Sequence, residues 1–124
     1  MLPAAWRLKK NSDFAQVYRA KQKLFGRRIS MYYLQNGLEH PRFGFSVSRR
    51  LGKAVQRNRL KRLMREGCRL YPPKMPVGCD VILVARPGAA GLTYRQVVQD
   101  LQRLWKMAGW NGENNGTKNG RSGN

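Results

Sequence analysis

FGFSVSRRLGKAVQRNRLKRLMRE, residues 43–66, passes from an alternating apolar segment into a densely basic run. Phe43, Phe45 and Val47 alternate with Gly44, Ser46 and Ser48, the period of a strand with one face in a core. Gly44 has no side chain, which allows another part of the chain to approach closely. After Gly52 the spacing changes to that of a helix starting near Lys53 and stopped by Pro72-Pro73. Leu60, Leu63, Met64, Gly67, Leu70 and Tyr71 share the side expected to face the core. Asn58, Lys61, Arg62, Arg65 and Arg69 fall on the opposite side, with Arg57 and Arg59 flanking it. Arg49, Arg50, Lys53, Arg57, Arg59, Lys61, Arg62 and Arg65 all precede the first acid, Glu66, which lies one turn after Arg62 and is placed to pair with it. So dense a cationic surface repels itself unless a polyanion lies opposite.

The whole chain carries the same bias. Its 124 residues hold 25 Lys and Arg against 6 Asp and Glu, a formal charge of +19. Solubility needs far less charge than this, and a membrane-surface peptide would not carry strand-like segments beside its helix. Nucleic acid is the indicated partner. No apolar run approaches the roughly 20 residues of a membrane span, and MLPAAWRLKK lacks a secretory apolar region. Cys68 and Cys79 form no metal-binding or redox spacing, so both are expected as reduced, packed thiols in a cytoplasmic protein.

On the N-terminal side, Asn11 or Ser12 is expected to cap a short helix with Asp13 in its first turn and Phe14, Val17 and Tyr18 on one face. A strand is expected over 29–35, followed by an Asn36-Gly37 turn. On the C-terminal side, VILVA within 80–86 reads as a strand buried on both faces. Thr93 with Gln96 forms a capping box for a last helix with a broad apolar face from Tyr94 to Ala108. From Gly109 the sequence becomes mostly Gly and Asn, the composition of a disordered tail. The expectation is one nucleic-acid-binding domain, 1–108, and a tail, 109–124. The order α-β-β-α-β-α implies an α/β (α+β) two-layer sandwich, with helices on a small mixed sheet and a parallel crossover through the basic helix, right-handed by default.

Protein-based catalysis finds little support. The acids Asp13, Glu39, Glu66, Asp80, Asp100 and Glu113 form no short metal-binding motif, and the single histidine, His40, sits beside a proline in an apparent turn, where solvation is the ordinary state. No Gly-rich phosphate loop occurs. The chain therefore reads as a binding module, or as a subunit whose catalytic groups belong to something else. Arginine forks suit phosphates, and Asn58 suits a phosphate, a 2′-OH, a base edge or a metal-bound water. Phe14, Tyr18 and Tyr32 suit either a core or a stacking platform for unpaired bases, and periodicity does not separate the two.

SVSRRLGKAVQRNRLKRLMRE, residues 46–66, resembles the signature of the bacterial ribonuclease P protein subunit. The Arg57-Asn58-Arg59 core, RLKKN at 7–11 with Asp13-Phe14, and DVILVARPGA at 80–89 match in order and spacing, so the resemblance spans roughly residues 7–108. It implies a protein that binds a catalytic RNA and assists removal of the 5′ leader from precursor tRNA. By that resemblance the RNA is expected to carry out the hydrolysis with Mg²⁺, and the protein to have no catalytic residue, no tightly bound metal and no small-molecule substrate of its own. It implies an RNA-binding set of Arg49, Lys53, Arg57, Asn58, Arg59, Lys61, Arg62 and Arg65. It also implies a leader-binding cleft at Phe14, Tyr18 and Tyr32, with Tyr33 the competing choice, and a left-handed crossover in place of the default. A ribosomal or other ribonucleoprotein structural protein is the alternative that charge and size allow, and a stand-alone nuclease is a third reading that requires a carboxylate cluster assembled across strands.

Overall fold

The computed structural model describes residues 2–112. Three α-helices, α1 (Asn11–Arg19), α2 (Ala54–Leu70) and α3 (Tyr94–Ala108), pack on a sheet of β1 (Lys23–Leu24), β2 (Ile29–Gln35), β3 (Arg42–Val47) and β4 (Cys79–Ala85). The strand order is β1-β2-β4-β3, with β2 antiparallel and β3 parallel to β4. The α/β sandwich read from the sequence is the one observed. β1, which has no counterpart in that reading, is a two-residue edge strand, too short to leave a periodic pattern.

Alternation along the strands divides the interior. Ile29, Met31, Phe43, Val81 and Leu83 meet Leu60, Met64 and Cys68 of α2 and Val97, Leu101 and Leu104 of α3. On the other face Ile82 packs with Val17 and Leu8, flanked by Phe14, Tyr32 and Val84, and the short α1 covers it. Gly67 explains the close α2–α3 contact: a Cβ there would come within 2.6 Å of Leu101 Cδ1. The Thr93–Gln96 capping box is present as expected. The first helix starts differently. Lys10 is its extended N-cap residue with no side-chain cap, and Asn11 is already helical. Asp13 does lie in the first turn, as expected, and its carboxylate also reaches toward Arg42 Nη1, at 3.6 Å.

The crossover hand follows from L-stereochemistry. Seen from the α2 side with β3 running upward, a residue pointing at the viewer directs its own N–H and C=O to the right. Phe43 points at this core and its carbonyl accepts the Leu8 N–H at 2.8 Å, so Leu8 lies to the right of β3 and β4 to the left. A path from β3 through α2 in front of the sheet to a strand on the left is left-handed. Tyr33 agrees: its N–H reaches Gln22 O, placing β1 at the far left. The right-handed default is overturned.

Two arginines lock this arrangement. Arg28 donates from Nε and Nη2 to both carboxylate oxygens of Asp100 at 2.9 Å, tying the approach to β2 onto α3. Arg42 grips Asp80 in the same manner at 2.7 Å, joining β3 to β4. Past Gly109, which takes the left-handed conformation (φ 78°), Trp110 is buried against Trp105 and Tyr33. The sequence reading left Trp110 with the tail; the remainder of that segment, 113–124, lies outside the described residues.

Candidate nucleic-acid interface

β3 leads into α2 through a 3-10 turn, Arg49–Leu51, whose buried Leu51 anchors it while Arg49 and Arg50 stay exposed. Gly52 (φ 125°) turns the chain in a region closed to side chains, and a Cβ there would collide with Gln56, whose amide oxygen accepts the Lys53 N–H. Arg57 braces the turn by donating from Nε to Gly52 O at 3.2 Å. Lys53, Asn58, Arg59 and Arg62 are exposed; Arg57, Lys61 and Arg65 are half-buried. Arg65 holds its guanidinium 5.9 Å from the centre of the Phe45 ring. Among the described residues none of Arg49, Lys53, Arg57, Arg59, Lys61, Arg62 and Arg65 forms an ion pair. The sequence assigned Glu66 to Arg62, but Glu66 pairs with Arg69 at 2.8 Å. Arg69's hydrogen bonds hold the Glu66 carboxyl below the ordinary carboxylate range. Arg62 is thereby left without a neutralising acid among the described residues.

The expected core side of α2 needs one more correction. Leu70 and Tyr71 are exposed and Cys68 is buried in their place. α3 meets that turn on the Gly67 side through Leu101 and Val97, and Tyr71 already leaves helical geometry. The Tyr71 carbonyl is satisfied by Trp105 Nε1–H at 2.9 Å.

The aromatics sort by strand alternation. Tyr32 meets Tyr18 edge to face, with centroids 4.8 Å apart, on the α1 side of the sheet. Tyr33 points the other way, against Trp110 at 5.3 Å, which resolves which of the two neighbours shares a face with Phe14 and Tyr18. The Phe14 ring lies so close over Gly44 that a Cβ there would overlap it. That is the close approach the bare glycine allowed.

Thus the basic helix and the aromatic α1 face lie on opposite sides of the sheet. They meet at the outer edge of β3, in an open groove of about 670 Å³. Its floor is Leu8, Phe14, Phe43 and Phe45, and its rim is Arg7, Lys9, Lys61, Arg62, Arg65 and Glu66. Sequence reasoning named Phe14, Lys61, Arg62 and Arg65 but missed Arg7 and Lys9. Their place depends on the Leu8–Phe43 hydrogen bond, a long-range pairing without a local pattern.

The remaining reactive groups are accounted for. His40 is half-buried rather than solvated: its ring stacks parallel on Trp6 with centroids 6.0 Å apart, and Nδ1 lies 2.9 Å from Pro41 O. Cys68 and Cys79 are free and buried. Burial pushes both thiols up, Cys79 to about 11 and Cys68 further. Among the described residues no three His, Cys, Asp or Glu side chains come together, so the carboxylate cluster required by a stand-alone nuclease is not assembled there. Asp13 and Asp80 do approach one another's neighbourhood, but both are turned onto Arg42.

Fold and site together define a small basic RNA-binding protein that brings a cationic helix to one side of a sheet edge and aromatic rings to the other. The ribonuclease P family model matches residues 2–109, and the chain belongs to that family. It is 44% identical over 101 residues to the ribonuclease P protein component of Pelotomaculum thermopropionicum, covering 82% of this chain and 90% of that one. The corresponding protein of an Exiguobacterium species is 41% identical over 103 residues, covering 83% and 90%. Among solved structures, the Staphylococcus aureus RNase P protein superposes with a TM-score of 0.76 at 34% identity, covering 85% of this chain and 96% of that one. The Thermotoga maritima RNase P protein gives 0.74 at 28%, covering 82% and 96%. The chain is a subunit of the ribonuclease P endoribonuclease, acting in tRNA 5′ processing as the protein partner of the ribonuclease P RNA.

Proposed function

We propose that the α2 face, with Arg49, Lys53, Arg57, Asn58, Arg59, Lys61, Arg62 and Arg65, grips the catalytic RNA. Phe14, Tyr18 and Tyr32 then hold the single-stranded 5′ leader of precursor tRNA. The carrying observation is the shared groove at the β3 edge, where Phe14 lines the same space as Lys61, Arg62 and Arg65. A strand leaving the aromatic face reaches the helix face without crossing the sheet. Folded RNA is recognised through shape and phosphates, which suits unpaired arginines on a rigid helix. Leaders vary in sequence, and stacking on aromatic rings tolerates that variation. Hydrolysis belongs to the RNA with its own Mg²⁺, in the cytoplasm. No described helix is long and apolar enough to cross a membrane.

Binding of precursor and mature tRNA by the reconstituted holoenzyme tests the leader assignment. Tyr18→Ala is expected to weaken precursor binding by roughly 1–3 kcal/mol, the value of one base–aromatic stack, and to leave mature tRNA unaffected. Equal losses for both RNAs would remove the leader from this face.

A further inference from the structure

The α1 face does not end at the Tyr18–Tyr32 pair. Lys23 stands opposite Tyr32 in the β1–β2 register, with its Nζ 5.9 Å from the Tyr32 ring centre. The same Nζ lies 5.2 Å from the centre of Phe25, and the Arg86 guanidinium lies 5.6 Å from it. Phe25 is 60% exposed, more than any other described aromatic ring. One exposed ring alone would mean little. Here two cations lie over the ring, and neither has an acid partner among the described residues. Arg86 is fixed in place by its backbone N–H, which donates to Arg28 O at 2.9 Å. Tyr18, Tyr32, Lys23, Phe25 and Arg86 are thus joined by successive ring–ring and cation–ring contacts.

We propose that Phe25, with Lys23 and Arg86, is a second nucleobase seat on the path of the single-stranded leader, beyond the Tyr18–Tyr32 pair. The inference rests on the leader reading of that face. Its chemistry is an exchange. In the free protein the two cations occupy the ring's π surface, a weak contact in water. An arriving strand offers phosphates, which are better partners for Lys23 and Arg86 than an aromatic quadrupole is. The cations swing to the phosphates and the ring is released to stack on a base. Lys23 touches both rings, so the two seats serve neighbouring nucleotides of an extended strand. Neither stacking nor phosphate contact reads sequence, so the seat lengthens the stretch of leader recognised without adding a sequence requirement.

The test uses the holoenzyme, reconstituted from the full chain and its RNA, with precursor tRNAs whose leaders are shortened one nucleotide at a time. Phe25→Ala is expected to bind long-leader precursors about tenfold more weakly, with no change for the shortest leaders or mature tRNA. Phe25→Trp should retain wild-type affinity, and Lys23→Gln should make the log–log salt slope shallower by about one. Identical affinities of Phe25→Ala and wild type at every leader length would overturn the proposal. So would an equal loss for mature tRNA, or for the catalytic RNA alone, which would place Phe25 on that RNA instead. Tyr18→Ala, run in the same series, separates the two readings. A leader-dependent loss there without one at Phe25 ends this proposal and keeps the leader face, whereas no loss at either ends both. Phe25 is exposed, so the melting temperature of Phe25→Ala should match wild type, which separates binding effects from folding.

Discussion

Arg28 and Asp100 illustrate what single side chains contribute. The Asp100 side chain is 3% exposed and receives both of its hydrogen bonds from Arg28. Arg28→Met would leave a carboxylate buried without its partner, a defect that costs about 3–5 kcal/mol. Urea unfolding should show a loss of that order, and pairing Arg28→Met with Asp100→Leu should recover most of it. A loss below about 1 kcal/mol in the single variant would contradict the buried-pair assignment. Cys79 gives a pH prediction. An unfolded thiol ionises near about 8.5, while burial raises Cys79 to about 11 in the folded chain. The folded state therefore favours the neutral thiol, and this contribution is whole below about pH 8.5 and lost as pH rises toward about 11. Cys68, raised further by complete burial, adds to the same fall. Denaturation measured from pH 7 to 11 should show stability declining over that window, and Cys79→Ala should flatten part of the decline. A pH-independent midpoint would mean the thiols are not sequestered.

At the scale of elements, α2 is a core helix on one side and a cationic surface, the face proposed for the RNA, on the other. Arg59 is exposed and without an ion pair, so Arg59→Ala should weaken binding to the catalytic RNA while the melting temperature stays within a few degrees of wild type. Collapse of the folded state would reassign that side chain to packing. If about six phosphates are neutralised, the log–log salt slope should be roughly −4 to −5, and a flat response would contradict a phosphate-reading face. The sequence made this helix legible because its period and charge are local properties, as were the alternation of β3 and the Thr93 capping box. What it did not disclose depends on contacts between distant segments. The turn at Leu70 and Tyr71 follows helical spacing, yet α3 arrives beside Gly67 and leaves them exposed. Glu66 has basic neighbours at Arg62 and Arg69, and only the folded surface selects Arg69. Arg7, Lys9 and Phe25 owe their surroundings to what the sheet edges bring beside them. Trp110 follows a glycine in a polar stretch, and only the assembled α3–β2 side gives it a place to be buried.

For the whole molecule, the governing quantity is +19 on 124 residues. Three acids, Asp13, Asp80 and Asp100, neutralise two arginines in the frame of the fold, and apart from Arg69, which pairs with Glu66, the cations of the α2 face form no ion pair among the described residues. Their mutual repulsion opposes the compact state, and multivalent anions bound to the folded form oppose that repulsion. The melting temperature should therefore be higher in phosphate or sulfate than in chloride at matched ionic strength. Equal values would mean that no such anion sites exist. Four of the five described acids, Asp13, Glu66, Asp80 and Asp100, are turned onto arginines.

The most direct measurement is cleavage of a precursor tRNA at low Mg²⁺ by three samples: rigorously RNA-free protein, the cognate RNA alone, and the two combined. The account predicts 5′ leader removal by the combination, little or none by the RNA alone at that Mg²⁺ concentration, and none by the protein. Metal-dependent cleavage by the RNA-free protein, or no gain when it is added to the RNA, would contradict it.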